Sequence, residues 1–120
     1  MDPTPHILVI DDDREIRDLL ARFLENQRIR VTAVRDGKEA RRAWLNGHYQ
    51  LVVLDLMLPG ESGLDVARWL RTQSDIPIVM LTTESQDAKK QEGRAAGASG
   101  WITKPFRLEQ LVAVARKLLP

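Results

Sequence analysis

Carboxylates that could bind a metal ion or attack phosphorus occur at two places in the sequence. Asp11, Asp12 and Asp13 follow the apolar run ILVI, and Asp55 interrupts the apolar segment LVVLDLMLPG. A carboxylate in such a segment is costly to bury unless it binds a cation or accepts strong hydrogen bonds. Carboxylates packed together repel one another, and a hard divalent cation such as Mg²⁺ relieves that repulsion. These residues therefore predict a Mg²⁺ site with a carboxylate available as a nucleophile.

Two further residues would complete phosphoryl chemistry at such a site. Thr82 offers a hydroxyl group after the apolar run IVML, and Lys104 offers an ammonium group directly before Pro105. Lysine binds phosphate as a point charge, and an X-Pro bond can be cis, which would aim Lys104 back toward the carboxylates. Carboxylates, Mg²⁺, a hydroxyl group and a lysine are what a carboxylate nucleophile needs to accept a phosphoryl group and neutralise its charge.

Each of these residues also has a purely structural interpretation. Asp55 could form a turn before the Pro-Gly pair that follows it, and Asp13 fits the N-cap of a helix. Thr82 could simply end a strand, and Lys104 could be a solvated surface lysine. The combination of residues is more informative than any one of them, so the prediction depends on the fold that brings them together.

The strands that would position these residues follow from the apolar pattern. Unbroken apolar runs predict strands buried on both faces, and a fifth, more alternating run predicts a strand nearer an edge. The predicted strands are residues 7–10, 29–34, 51–54, 76–81 and 101–103. Strand and helix alternate, which predicts a three-layer α/β fold with a parallel sheet and right-handed crossovers. The carboxyl ends of its strands would share one crevice, where all the candidate residues lie.

The segments between the strands have helical periodicity. The apolar stripe of the first helix comprises Ile16, Leu19, Leu20, Phe23 and Leu24. We expect the second helix over residues 36–46, the third after Ser62 and the fifth over residues 108–119. The fourth, expected from an N-cap at Ser85 to about Gly97, has few apolar residues and is predicted to be among the less firmly packed.

Composition limits the classes of protein that the chain can represent. It has 120 residues, 43% of them hydrophobic and 29% charged, with a net charge of +1 and no cysteine. We therefore expect one domain over residues 1–120, and the near-zero charge gives no field that favours nucleic acid or a membrane as partner. No apolar run approaches the roughly 20 residues of a membrane span, and a cytoplasmic location is expected.

The sequence resembles the response-regulator receiver family over essentially the whole chain. The resemblance lies in the segments ILVIDDD, LVVLDLMLPG, IVMLTT and GWITKPF, in the order and spacing of the family. It implies a flavodoxin-like receiver fold with a five-stranded parallel sheet of order 2-1-3-4-5, as in the chemotaxis receiver.

The resemblance also implies roles for the acidic residues. Asp55 is similar to the phosphoacceptor of the family, Asp12 to a direct Mg²⁺ ligand and Asp11 to a second acid that holds the ion through water. The backbone carbonyl of Met57 would complete the protein ligands.

Further positions resemble the family's switch residues, the lysine of its phosphorylation site and the residues that tune its dephosphorylation. Thr82 resembles the switch hydroxyl, and Lys104 the lysine that pairs with the phosphoryl group, with a cis bond to Pro105. Trp101 occupies the position of the rotating switch aromatic, which is usually Tyr or Phe, and the larger indole is expected to flip less freely or to prefer one state. Met57 and Glu84, two residues beyond Asp55 and Thr82, resemble positions that tune dephosphorylation.

A receiver of this kind would accept a phosphoryl group from a sensor histidine kinase or a phosphotransfer protein. It would signal to a downstream protein through its fourth helix, fifth strand and fifth helix, and catalyse only its own phosphorylation and dephosphorylation.

Alternatives remain open at this point. The first half of the chain resembles receivers of DNA-binding regulators, whereas the second half, with GASGW in place of an acidic GADDY segment, is closer to single-domain chemotaxis receivers. The chain could thus be a receiver cut from a transcription factor, or a recombined one. An aspartate-nucleophile phosphohydrolase is a further alternative, because the triple aspartate contains an Asp-x-Asp pair, although Arg14 and Glu15 replace the usual Gly-Thr. A receiver that no longer takes phosphate is the last.

Overall fold

Seven strands and five helices follow one another along the chain in a computed structural model that describes residues 4–83 and 87–119. The strands are β1 (His6–Ile10), β2 (Arg30–Val34), β3 (Leu51–Asp55), β4 (Met57–Leu58), β5 (Glu61–Ser62), β6 (Ile78–Thr82) and β7 (Gly100–Thr103). The helices are α1 (Arg14–Asn26), α2 (Gly37–Leu45), α3 (Gly63–Gln73), α4 (Asp87–Ala95) and α5 (Leu108–Leu118).

Five of the strands form one parallel sheet in the order β2-β1-β3-β6-β7. This is the predicted order 2-1-3-4-5, because β4 and β5 pair only with each other. Strands β3 and β6 are buried throughout, whereas β2 at the edge is half-buried or exposed, as its alternating sequence predicts. In the register, Ile10 lies beside Leu54 and Asp55 beside Leu81, so the carboxyl ends of these strands are level.

Two layers of apolar side chains, one on each face of the sheet, form the core. Alternate residues of β1 point to opposite layers: Ile7 packs with α1 and α5, and Leu8 with α2 and α3. The flavodoxin-like three-layer fold is therefore confirmed, since it is the arrangement that buries strands without polar alternation. Among the described residues, no helix has the length and apolarity to cross a membrane.

The structure differs from the predicted elements in a few places. The antiparallel hairpin of β4 and β5 was not predicted, and Leu19, assigned to the apolar stripe of the first helix, is 52% exposed. The described part of α4 ends at Ala95, two residues before Gly97. The predicted N-cap at Ser85, like Glu84, lies outside the described residues.

A glycine allows α3 to begin directly against the end of β3. A Cβ atom at Gly63 would lie 2.1 Å from the carbonyl oxygen of Asp55, too close for any other residue without a backbone shift. The amide of Gly63 donates to the carbonyl of Leu56 at 2.8 Å, and Ser62 caps the helix through its hydroxyl group. The turn that follows Asp55 is thus anchored at its far end.

Candidate functional site

Three carboxylates meet at the carboxyl edge of the sheet. Asp11 and Asp12 directly follow β1, and Asp55 is the last residue of β3; one oxygen from each lies within 4.8 Å of the others. Asp11 is fully buried, Asp55 is 5% exposed and Asp12 is exposed. An all-oxygen donor set with one member open to solvent suits a hard divalent cation that keeps part of its water shell. The three residues fit the predicted metal site.

Lys104 lies between the two buried carboxylates. Its Nζ atom is 2.8 Å from Oδ2 of Asp11 and 3.3 Å from Oδ2 of Asp55, and its side chain is 15% exposed. The residue directly follows β7, and its peptide bond to Pro105 is cis. Strands β1, β3 and β7 thus bring two carboxylates and an ammonium group to one point. A solvated surface lysine would not lie between two buried carboxylates, so the surface interpretation of Lys104 does not account for its position.

Backbone groups fix the orientation of the acidic side chains. The amide of Asp13 donates to Oδ1 of Asp11 at 2.9 Å, and the amide of Met57 donates to Oδ1 of Asp55 at 3.1 Å. Asp13 itself caps α1, as its alternative interpretation predicts. Arg17 was not recognised in the sequence; its guanidinium donates to the carbonyl of Asp11 at 2.9 Å. The carboxylates are therefore held before any ligand binds.

Burial and neighbouring charges shift the pKa values of Asp55 and Lys104. Desolvation, with the nearby charge of Asp11, raises the pKa of Asp55 to about 6. Burial alone would lower the pKa of Lys104, but its hydrogen bonds and ion pairs with Asp11 and Asp55 outweigh that effect and raise it. The cluster thus carries excess negative charge that a divalent cation would relieve.

The raised pKa of Asp55 predicts a stability penalty that depends on pH. A carboxylate whose folded pKa exceeds its unfolded value, about 3.9, loses stability as pH rises through the folded pKa. In EDTA, Asp55→Asn should remove this penalty, so its stability advantage over the parent should grow by about 2–3 kcal/mol between pH 4 and pH 7. Urea unfolding at both pH values measures the difference.

A matched variant controls for the loss of a surface charge. Asp18 forms an exposed ion pair with Arg14 at 3.8 Å on α1, so Asp18→Asn removes a carboxylate outside the cluster. A stability advantage of Asp55→Asn that is the same at both pH values would show that the buried carboxylate is not the source of the penalty.

The two predicted switch residues lie on neighbouring strands. Thr82 ends β6, is 1% exposed and lies beside Thr103 in the register. Trp101 of β7 is half-buried and packs against α4, where a Cβ atom at Gly93 would lie 2.3 Å from its ring. Its buried Nε1 atom has no hydrogen-bond partner among the described residues. Glycine at position 93 thus makes room for an indole in place of a smaller ring.

Met57 lies on the hairpin beside the carboxylates. Its backbone amide donates to Oδ1 of Asp55, and the residue is 69% exposed. The carbonyl of Met57 as a metal ligand stays a prediction. The structure therefore brings together Asp11, Asp12, Asp55 and Lys104, with the backbone of Met57 next to them, and puts Thr82 at the same edge of the sheet.

Comparison with known proteins agrees with this geometry. Protein PetR of Rhodobacter capsulatus is 44% identical over 108 residues, which cover 90% of this chain and 46% of PetR. Transcriptional regulatory protein ResD of Bacillus subtilis is 38% identical over 113 residues, 94% of this chain and 47% of ResD. The chain spans about half the length of the curated relatives it matches.

The solved structure of chemotaxis response regulator CheY4 of Vibrio cholerae has the same fold. It aligns with a TM-score of 0.92 at 34% identity, over 97% of this chain and 99% of CheY4. Residues 7–116 match the family model described as the response regulator receiver domain. This match covers the three carboxylates, Thr82 and Lys104. The chain belongs to the response regulator receiver domain family.

Proposed function

We propose that Asp55 accepts the phosphoryl group in this receiver, with Mg²⁺ held at the carboxylates. The observation that carries the proposal is the position of Lys104, whose Nζ atom contacts Asp55 and Asp11 inside a group of three carboxylates. Asp12, Asp55 and the carbonyl of Met57 would be the direct ligands, with Asp11 acting through water. When bound, Mg²⁺ supplies positive charge that offsets the carboxylates and the phosphoryl oxygens.

The chemistry assigned to the side chains is a direct phosphoryl transfer. A carboxylate oxygen of Asp55 forms a bond to phosphorus as the bond between phosphorus and the donor breaks, and the donor atom leaves with the bonding electron pair. In this proposal Lys104 pairs with a phosphoryl oxygen, and the hydroxyl group of Thr82 donates to another. These residues orient the phosphoryl group and neutralise its charge, and the transfer requires no further catalytic group.

The kinase and the output partner follow from the role of receivers in two-component systems. We propose a sensor histidine kinase or phosphotransfer protein as the donor. The output surface would be formed by α4, β7 and α5, the last two of which carry Trp101 and the exposed basic residues Arg116 and Lys117. Such a surface would suit an acidic protein partner. A cytoplasmic location and one receiver unit over residues 1–120 belong to the same proposal.

Intact-mass measurement with a small phosphodonor tests the chemistry. With acetyl phosphate and Mg²⁺ the protein is expected to gain one phosphoryl group, and with EDTA in place of Mg²⁺ to gain little. No gain in either condition would make the acidic cluster structural. Steady turnover of a phosphomonoester such as p-nitrophenyl phosphate would instead favour the phosphohydrolase alternative.

A second candidate concerns the protein in which the receiver works. ResD is named a transcriptional regulatory protein, and this chain spans only 47% of it. We therefore propose, as the alternative to a free-standing receiver, that phosphorylation of this unit controls a DNA-binding output domain. The length of the natural gene product, followed by a DNA-binding assay of that product, distinguishes the two.

A further inference from the structure

An ion pair joins the hairpin that carries Met57 to helix α2. In the hairpin, Met57 lies opposite Ser62, and Leu58 lies opposite Glu61. Arg41 of α2 donates to both carboxylate oxygens of Glu61, at 2.6 Å from Nη1 to Oε1 and 2.9 Å from Nη2 to Oε2. Two parallel charge-assisted bonds fix direction as well as distance. The pair therefore joins the second helix to the turn after the phosphoacceptor strand.

The surroundings of this pair are shaped to hold it. The side chains of Arg41 and Glu61 are only 33% and 26% exposed, and the guanidinium lies 5.6 Å from the ring centroid of Trp69 on α3. A Cβ atom at Gly37 would lie 1.9 Å from Oε1 of Glu61, so a larger residue there would displace the carboxylate from its present position at the start of α2. Their mutual hydrogen bonds raise the pKa of Arg41 and lower that of Glu61. This is more than a chance contact between surface charges.

The other strand of the hairpin is bonded to the acidic cluster. The amide of Met57 donates to Oδ1 of Asp55, and Leu58 packs partly against the core. The turn between the two strands is exposed to solvent: Gly60 adopts a φ of 80°, and a Cβ atom there would meet nothing within 4 Å. The hairpin is thus held on one strand by Asp55 and the core, and on the other strand by Arg41 of α2. Because the two strands are paired, a shift at Glu61 would move the backbone of Met57.

We propose that Arg41 and Glu61 are positioning residues that hold the β4–β5 hairpin so that the backbone of Met57 stays at the Mg²⁺ site. This role rests on the proposed function, because that function assigns Mg²⁺ to the carboxylates. Neither side chain touches the ion. Both act through the hairpin, in the way that outer partners orient metal ligands elsewhere.

The direction in which two substitutions change Mg²⁺ affinity distinguishes a positioning role from a purely electrostatic effect. Glu61→Gln and Arg41→Gln both remove the ion pair, so positioning predicts that each weakens Mg²⁺ binding by at least about threefold. The field of the charges alone predicts opposite effects, because loss of an arginine favours a nearby cation and loss of a carboxylate disfavours it. Calorimetric titration with Mg²⁺ measures the affinity. Amide hydrogen exchange of residues 57–62, without Mg²⁺, is expected to be faster in both variants.

Two more variants serve as controls. Asp18→Asn removes a carboxylate from an exposed pair on α1 and should leave Mg²⁺ affinity within about twofold of the parent. The charge-reversed double variant, Arg41→Glu with Glu61→Arg, should recover part of the lost affinity because the pair re-forms. Circular dichroism checks that each variant folds; if one single variant does not, the other and the reversed pair carry the comparison.

Two outcomes would overturn the role of the ion pair. One is a change of opposite sign in Glu61→Gln and Arg41→Gln; the other is faster exchange in the hairpin with unchanged Mg²⁺ affinity. A parent protein that binds no Mg²⁺ would overturn the proposed function together with this role. Variants that match a Mg²⁺-binding parent would overturn this role alone.

Discussion

Asp55→Asn is expected to gain no phosphoryl group from acetyl phosphate and Mg²⁺ under conditions that phosphorylate the parent fully. An amide oxygen is a far weaker nucleophile than a carboxylate, and the substitution also replaces one of the three candidate carboxylate ligands with a neutral amide. The shape of the side chain is retained, and the metal-free fold should become more stable, so misfolding does not explain the loss. Intact mass, followed by peptide mapping of the parent, measures the adduct and its position.

The controls for this result separate the acceptor from its neighbours. Asp18→Asn on α1 should be phosphorylated like the parent, because its exposed pair with Arg14 lies outside the acidic cluster. A full phosphoryl adduct on Asp55→Asn would show that another residue accepts the group. If that adduct mapped to Asp12, the acidic cluster would still be the phosphorylation site, but Asp12 would be the nucleophile.

The main sheet could be predicted from the sequence because its central strands, β1, β3 and β6, are almost fully buried on both faces. A run such as residues 51–54 has no polar alternation, and only a sheet covered by helices on both sides buries it. Strand order did not follow from that pattern; it came from the family resemblance. The apolar stripe of α1 was predicted one residue too wide, because Leu19 continues the helical period but lies at the margin of the buried face, 52% exposed.

The four charged residues of the site could also be predicted, because each lies within two residues of the carboxyl end of a predicted strand. Contacts between distant surface elements could not. The hairpin strands are two residues long, too short for an alternating pattern to show, and Arg41 and Glu61 are 20 positions apart among 18 basic and 17 acidic residues. In the sequence, Gly93 indicates only a residue that is unfavourable inside a helix. Its contact with the indole of Trp101 is seen only in the structure.

Lys104→Met is expected to lower the free energy of unfolding in EDTA by about 3–5 kcal/mol. The ammonium group is the cation that contacts both buried carboxylates, at 2.8 Å from Asp11 and 3.3 Å from Asp55. Without it, the backbone amides of Asp13 and Met57 still donate to these two side chains, but neutral donors do not offset two charges on carboxylates that are almost fully buried. Urea unfolding of both proteins at pH 7.5 measures the difference.

The dependence of this loss on solution conditions identifies its cause. Lys104 lowers the pKa of Asp55, so its removal raises that pKa further, and the stability deficit should shrink as pH falls from 7 toward 4 and the carboxylate is protonated. Saturating Mg²⁺ should also reduce the deficit, because it binds only the folded cluster and supplies the missing positive charge. Lys117→Met, which removes an exposed lysine of α5, is the matched control. A deficit no larger than that of the control, or one that is unchanged by both acid and Mg²⁺, would mean that Lys104 is not what compensates the buried carboxylates.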